Sequence, residues 1–432
     1  MNFWNSLLIL LFPVAILSQE RLTMNEAISI ALEQNYGIKI AMLEQTADEM
    51  QVYKANAGGG FSLNWNANYT MTANNANQKF LDGRELRRWG RGFFPNTNLT
   101  ANLPLYDGGR IQAIYDRLGL VSEFTSLESK VLVQNTVSAV MQAYFTIDRH
   151  KQTVDFLTTI LKHYEERLNI TEERWNVGSG SKLDYLQSKT VMNAQLSELS
   201  LAKNNLKNSK VTLNGLLNRD ANIEFETETL NSVYPDFDLQ ELEELVQDQN
   251  QELLLMNKSI EISKKREEEL EADRKPQIGL NGSLGYSYSN SNTGFLTSNS
   301  NIFGNIGLGA VWNLYDGHHR KNQIAISKIN TEIVELQKEN LEQQMINDLT
   351  FAYNQYNSDK ELLNFEELNR TIAEENLSIS LQKFRLGGSS ILELNEAQRV
   401  YDTALNRLVN AQFSIKISEL ELLRLSGTLI GD

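Results

Sequence analysis

Residues 105–110 read Leu-Tyr-Asp-Gly-Gly-Arg, and residues 314–320 read Leu-Tyr-Asp-Gly-His-His-Arg, which separates Asp107 from Asp316 by 209 positions. Val177-Gly178 returns as Leu386-Gly387 at the same offset of 209. An offset that holds from Asp107 to Val177 leaves no room for an insertion or deletion, as expected of a helix whose register matters. Upstream, Gln34-Asn35 matches Gln249-Asn250 at 215. Repeats near 200 residues are far longer than solenoid units. The chain therefore reads as a duplicated half. Residues 19–220 form a first repeat of helix, strand pair and long helical hairpin; 221–240, with Pro235, join it to a second repeat over 241–432.

The five prolines fall at 13, 95, 104, 235 and 276. Proline breaks helix interiors, so 105–234 and 277–432 are free to hold very long helices. Each half is expected to open with one helix, Met24 to Ala55 or Leu239 to Asp273. Ile111 to Trp175 then spans 65 residues, roughly 98 Å at ~1.5 Å per residue, and Ile324 to Phe384 is equally continuous. Gly178 and Gly387-Gly388 suit helix C-termini, where glycine accepts the left-handed conformation. Ser181 and Ser390 suit the N-caps of the returning helices. Those helices carry a seven-residue period: Tyr401, Leu408, Ile415 and Leu422 interleaved with Ala397, Ala404 and Ala411. In the first half the same pattern is Met192, Leu199, Leu206 and Leu213 with Ser188, Gln195, Ala202 and Ser209. A strict heptad averages 3.5 residues per turn and demands left-handed supercoiling against a neighbour.

Four segments alternate with period two. Phe61, Leu63, Trp65, Ala67, Tyr69 and Met71 oppose Ser, Asn and Thr; Ile278, Leu280, Gly282, Leu284, Tyr286 and Tyr288 oppose Gln277, Gly279, Asn281, Ser283, Gly285 and Ser287. Their partners are 98–105 and 302–314, the latter imperfect because Phe303 and Val311 fall in the polar set. Alternation also suits a half-buried strand of a soluble sheet. Here the polar face is almost free of charge, and the length meets the ~9–11 residues of a tilted membrane strand. A sheet in lipid must close into a barrel, and single-chain barrels need at least ~8 strands. Four per chain means that several copies must pool theirs.

In order, duplication and spacing, these motifs resemble the TolC-like outer-membrane efflux family, with Leu-Glu-Leu-Asn-Glu-Ala-Gln at 392–398 completing the signature. The resemblance covers essentially all of both halves. It implies a fold that is mainly α with a membrane β-barrel portion: duplicated long-helix hairpins forming a coiled-coil tunnel, and four strands per chain contributing to a trimeric 12-stranded barrel. It also implies a homotrimer in the outer membrane, with a 12-helix periplasmic tunnel. The chain would be the passive exit duct of a tripartite efflux or type I secretion system. The tip turns Val177, Gly178, Leu386, Gly387 and Gly388 would dock a periplasmic adaptor (membrane fusion protein) bound to an inner-membrane RND, ABC or MFS transporter. Matched by position, the acidic residues of the periplasmic entrance fall on Glu393 and Glu396, with Asp184 at the first tip. Carboxylate rings in a constriction repel anions and concentrate cations. The plainer account is acids placed near helix starts, where the dipole favours them. Some family members carry a basic residue two positions after the tip glycine; here Gly387 is followed by Gly388 and Ser389. A periplasmic coiled-coil scaffold or adaptor is the alternative, although an adaptor carries one long hairpin rather than two.

Composition bounds the rest. The 432 residues are 22% charged and 41% hydrophobic, carry a net charge of −15 and contain no cysteine. Disulfides, thiolate metal sites and cysteine nucleophiles are excluded, and a dedicated nucleic-acid binder would show a basic surplus. No nucleophile–base constellation, cofactor motif or metal-ligand spacing stands out, so no catalytic or metal role is expected. His318-His319 read as structural at a strand-to-helix joint. Residues 1–18, without a charged side chain, read as a signal peptide cleaved after Ser18, or else as a buried helix. The segment 74–96 carries Lys79, Arg84, Arg87, Arg88 and Arg91 against Asp82 and Glu85. It reads as a loop that either contacts phosphorylated outer-leaflet lipid or is merely solvated.

Overall fold

In chain order the elements are β1 (Glu20–Leu22), α1 (Met24–Gln34), α2 (Tyr36–Gln51), β2 (Ser62–Lys79), β3 (Glu85–Tyr106), α3 (Arg110–Asn176), α4 (Lys182–Leu216), β4 (Phe225–Thr227), α5 (Leu239–Gln249), α6 (Gln251–Ala272), β5 (Gln277–Ser291), β6 (Ser298–Val311), α7 (His319–Arg385) and α8 (Ile391–Leu425). The computed structural model describes residues 20–228, 233–293 and 296–430. The signal peptide expected over 1–18 lies outside the described residues.

The duplication is kept to the residue in the helices of the two long hairpins, whereas α2 has 16 residues and α6 has 22. α3 and α7 are both 67 residues long, and α4 and α8 both 35. Aspartates start the long pair. Asp107 accepts hydrogen bonds from the Ile111 and Gly109 N–H groups at 2.5 and 3.2 Å, and Asp316 accepts one from the Arg320 N–H at 3.1 Å. His318 takes φ 69° where Gly109 takes 95°, so this histidine occupies a turn.

The single opening helix expected in each half is broken into two, at Asn35 and Asn250. Asn35 Oδ1 accepts from the Gly37 N–H at 2.8 Å, and its amide donates to the Leu216 carbonyl at 3.1 Å. Asn250 donates to the Leu425 carbonyl at 2.9 Å. One side chain thus ties the break to the end of the returning helix of its own half. Within the expected joint, β4 (Phe225–Thr227) pairs in parallel with β1. Lys151 Nζ donates to the Thr227 carbonyl at 3.2 Å. Its counterpart Lys360 donates to the Tyr234 carbonyl at 3.0 Å and pairs with Asp236 at 2.8 Å.

Two compact units share the chain, and each draws on both halves. The first takes the described residues up to Ile40, Val131–Asn250 and Gln344 onward. In it α3 packs on α4 through Leu157, Leu199 and Ala202. Along the same stripe α3 also meets α7 and α8 through Ile160, Tyr164, Leu377, Leu394, Ala397 and Tyr401. The heptad positions point inward: Leu199, Leu213, Ile415 and Leu422 are buried, and so are the small residues Ser188, Ala202, Ala397, Ala404 and Ala411.

The second unit takes Ala41–Lys130 and Gln251–Gln343. Its helices are laced by polar contacts: Asp48 to Thr125 (2.6 Å), Lys258 to Glu123 (2.7 Å) and Glu267 to Thr331 (2.5 Å). The buried Glu269 sits among Arg266, Arg117 and Arg110 at 2.6, 3.4 and 4.0 Å. A four-stranded antiparallel sheet of order β2-β3-β5-β6 completes the unit. Register puts Leu63, Ala101, Gly282 and Ile306 in one row and Trp65, Leu99, Leu284 and Gly304 in the next. Residues directly opposite share a face, so the apolar set predicted from each strand lies on one side. Asn64, Thr100, Ser283 and Asn305 lie on the other. The two misfits resolve simply: the Phe303 ring lies over Gly285, and Val311 closes the last pair with Gln277.

Candidate functional site

Both hairpin turns of the first unit are built by the same backbone device. Ser179 N–H donates to the Arg174 carbonyl and Gly178 N–H to that of Trp175; 209 residues on, Gly388 donates to Lys383 and Gly387 to Phe384, all at 2.8–3.0 Å. These are paired six-to-one and five-to-two closures, and they require positive φ at Gly178 (74°) and Gly387 (79°). Ser181 then accepts from the Leu183 N–H at 3.1 Å and Ser390 from the Glu393 N–H at 3.3 Å, which starts α4 and α8. Val177 and Leu386, the apolar residues of the turns, are 78% and 87% exposed.

The acidic candidates divide. Asp184 and Glu393 stand at equivalent positions in the first turns of α4 and α8. Asp184 is half-buried beside a cleft of about 310 Å³ lined also by Thr171, Arg174, Ser181 and Phe384. Glu393 is exposed. Glu396 is exposed too, but it is bound to Arg399 by two hydrogen bonds of 2.5 and 2.9 Å, and this pairing holds its carboxyl below the usual range. Arg399 therefore offsets part of its charge, which leaves Glu393 as the freer carboxylate.

A second cluster, which sequence reasoning did not single out, links α3 to α7 and α8 just behind the turns. Arg167 is buried to 2% exposure and donates to Gln398 Oε1 at 2.7 Å and to Asn395 Oδ1. The Tyr164 hydroxyl donates to Asp402 at 2.7 Å. Burial pushes the Asp402 carboxyl up to about 6 and lowers the Arg167 guanidinium. Arg385 pairs with Glu166, and Arg174 donates to the Phe384 carbonyl while lying 4.5 Å from its ring. Asn395 and Gln398 sit inside the 392–398 stretch already noted; nothing in the helical pattern around Arg167 marks it as buried. Among the described residues no group of three metal-ligating side chains assembles. Nor, among them, is any helix long and apolar enough to cross a membrane.

An exposed apolar sheet face carried by a chain of long coiled helices defines a class of channel-forming folds, and comparison with known proteins says which. The outer membrane efflux protein family model matches residues 27–219 and 244–428, and the chain belongs to that family. Similar solved structures include the outer-membrane channel OprN, at 15% identity and a TM-score of 0.78 over 94% of this chain and 89% of that one. The outer membrane protein VceC of Vibrio cholerae matches at 18% identity and 0.76 over 94% and 96%. The open state of the Neisseria gonorrhoeae MtrE outer membrane channel matches at 17% and 0.71 over 95% and 90%. No curated protein matches by sequence. At these identities the structures speak for the fold, which is mainly α with a membrane β portion.

Proposed function

We propose that three copies of this chain form a 12-stranded outer-membrane channel, the passive exit duct of a tripartite efflux or type I secretion system. One observation carries the reading: a four-stranded sheet with an exposed apolar face and no in-chain partner, among the described residues, for the outer edges of β2 and β6. Such edges cannot stay open in lipid. The helices support the same closure. In the second unit α7 exposes Ile326, Ile329, Ile333 and Leu336 at helical spacing, and α2 exposes Leu43 and Met50. In the first unit α7 exposes Phe365, Leu368 and Ile372, and α4 exposes Leu196 and Leu201. Different faces at the two flanks make a head-to-tail contact that closes a ring.

In that ring the exposed turns at Val177 and Leu386 receive the periplasmic adaptor, which couples the duct to an RND, ABC or MFS pump. Glu393, with Asp184, supplies the negative charge of the entrance. The cargo is set by the pump. The first test is extraction: the protein partitions with outer membrane, needs detergent and conducts in planar bilayers, whereas a salt-washable monomer would end the reading. Within the channel, Glu393→Gln weakens divalent-cation block of single-channel current more than Glu396→Gln does, because Arg399 already screens Glu396. Block unchanged from wild type in both variants would remove the carboxylates from the gate.

A further inference from the structure

The segment expected as a loop over 74–96 is not a loop. The β2–β3 ladder continues without a bulge to Lys79↔Glu85, while pairing of β3 to β5 ends at Gly92↔Ser291. Residues 73–91 therefore extend past the β3–β5 ladder as a two-stranded ribbon, at the end of the strands opposite to where they join α2 and α3. The ribbon is tied at its base, where Arg91 N–H donates to Asn292 Oδ1 at 2.8 Å, Asn292 N–H donates to the Arg91 carbonyl at 3.3 Å, and Thr293 packs on Gly90. The ribbon holds five cationic side chains and two carboxylates in a chain of net charge −15. Near the turn the charges neutralise one another: Lys79 pairs with Glu85 at 2.5 Å and Arg84 with Asp82 at 2.7 Å. Farther down, Arg87 lies 4.0 Å from Glu85, and its Nε donates to Asn77 at 3.2 Å. Among the described residues no carboxylate comes within ion-pair distance of Arg88 or Arg91.

Parity decides which way these charges look. Phe93 belongs to the apolar face, opposite Met71 and in contact with Tyr69 and Tyr288 at centroid distances of 6.3 and 5.6 Å. Stepping by two along an unbroken strand, Arg91, Trp89 and Arg87 continue that same face, while Arg88 continues the polar one. Trp89 is 72% exposed. At ~3.4 Å per residue and a tilt of ~40°, Arg91, Trp89 and Arg87 rise roughly 5, 10 and 15 Å above the aromatic row. A phospholipid headgroup layer adds only about 5–8 Å per side. Arg91 meets its phosphates; Arg87 stands above them.

We infer that the Arg87–Trp89–Arg91 stripe is a docking surface for the phosphate-bearing headgroup of an outer-leaflet glycolipid, whose saccharide layer is thick enough to reach both arginines. The inference rests on the channel reading above. Guanidinium forks bind phosphate in bidentate fashion, the indole lies among sugars at the interface, and the Asn77 hydrogen bond holds Arg87 extended. The β5–β6 hairpin, without a charged side chain from 277 to 311, offers no such surface.

The test uses the full-length assembled channel in detergent. Native mass spectrometry measures its binding of a rough lipopolysaccharide with a phosphorylated inner core and of the same lipid after enzymatic dephosphorylation. Wild-type protein prefers the phosphorylated form. The pair Arg87→Gln, Arg91→Gln lowers that affinity about 30-fold, while Arg88→Gln, equal in charge removed per site but on the other face, lowers it less than about twofold. Arg87→Lys, Arg91→Lys falls between, because charge is kept and the fork is lost. The inference is overturned if Arg88→Gln costs as much per charge as the pair, if dephosphorylation changes nothing, or if phosphatidylglycerol or inorganic phosphate at equal phosphate concentration competes as well. Planar-bilayer conductance separates the two readings. Variants that conduct normally but show no phosphate preference sink only this inference, and a wild-type protein that never inserts sinks the channel.

Discussion

The returning helices α4 and α8 have the same length and both start from a serine N-cap, yet α4 buries six of its residues and α8 thirteen. The difference is one of neighbours. α8 lies within the packed group of α3, α7 and α8, whereas the far side of α4 stays open with Leu196 and Leu201 exposed. At the turns the same contrast recurs in paired residues. Trp175 and Tyr185 stack at 5.2 Å on the surface, and their counterparts Phe384 and Leu394 are buried. Duplication has kept the backbone and divided the labour of the side chains. Of the two returning helices, α8 packs within its own protomer and α4 offers a face to something else.

The sharpest way to break this comparison is at the turns. Leu394→Ala, at a fully buried position, costs about 2–5 kcal/mol, while Tyr185→Ala at the matching place loses a surface stack worth about 1 kcal/mol. Thermal unfolding monitored by circular dichroism should show the gap, and equal shifts would deny the asymmetry. A smaller difference is expected at the helix ends. Gly427 (φ 77°) and Gly178 (φ 74°) share a conformation, but a Cβ on Gly427 meets the Gln249 carbonyl oxygen at 2.7 Å, and one on Gly178 meets nothing. Gly178→Ala costs about 1 kcal/mol from φ alone, and Gly427→Ala costs about 2–3 kcal/mol because a backbone must also move. The same melting experiment ranks the two, and identical shifts would mean that the Gln249 backbone yields freely.

Smallest is the effect of pH on the α3–α8 junction. Burial raises Asp402 from 3.8 to about 6, with Tyr164, Glu198 and Arg167 as its charged or polar surroundings. Between about pH 4 and 6 the folded state holds a proton that the unfolded chain has released. The stabilisation is therefore complete below about pH 4 and is lost as pH rises through about 6. With partial screening by solvent this amounts to about 1 kcal/mol, or about 1 °C in a chain of 432 residues. The melting temperature of wild-type protein relative to Asp402→Asn, followed from pH 4 to 7.5, should fall across that window. A flat difference would place Asp402 in solvent.

Much of this architecture is legible in the amino-acid sequence itself. The spacing of Asp107, Val177, Asp316 and Leu386 implies two hairpins of matched length, and alternation names the apolar face of each strand. Three features are not legible there, each for a physical reason. Asn35 and Asn250 interrupt helices without proline or a change of periodicity, because the break depends on a side-chain amide reaching a carbonyl 175 or 181 residues away. The ribbon 73–91 lacks period-two hydrophobicity because most of its length is exposed on both faces, with Ala76 and Gly90 as the buried positions, yet its backbone ladder persists. Arg167 hides in a helix because its burial depends on Asn395 and Gln398, more than 200 residues distant.

Equal helices of 67 and 35 residues in the two halves constrain how such a chain can change in length. One added residue in α3 would swing everything beyond it through about 100° and push its turn about 1.5 Å farther out. The two tips would then no longer present the same surface at the same height. Growth or trimming is tolerated only in sevens, inserted into the outgoing and incoming limbs of both copies together.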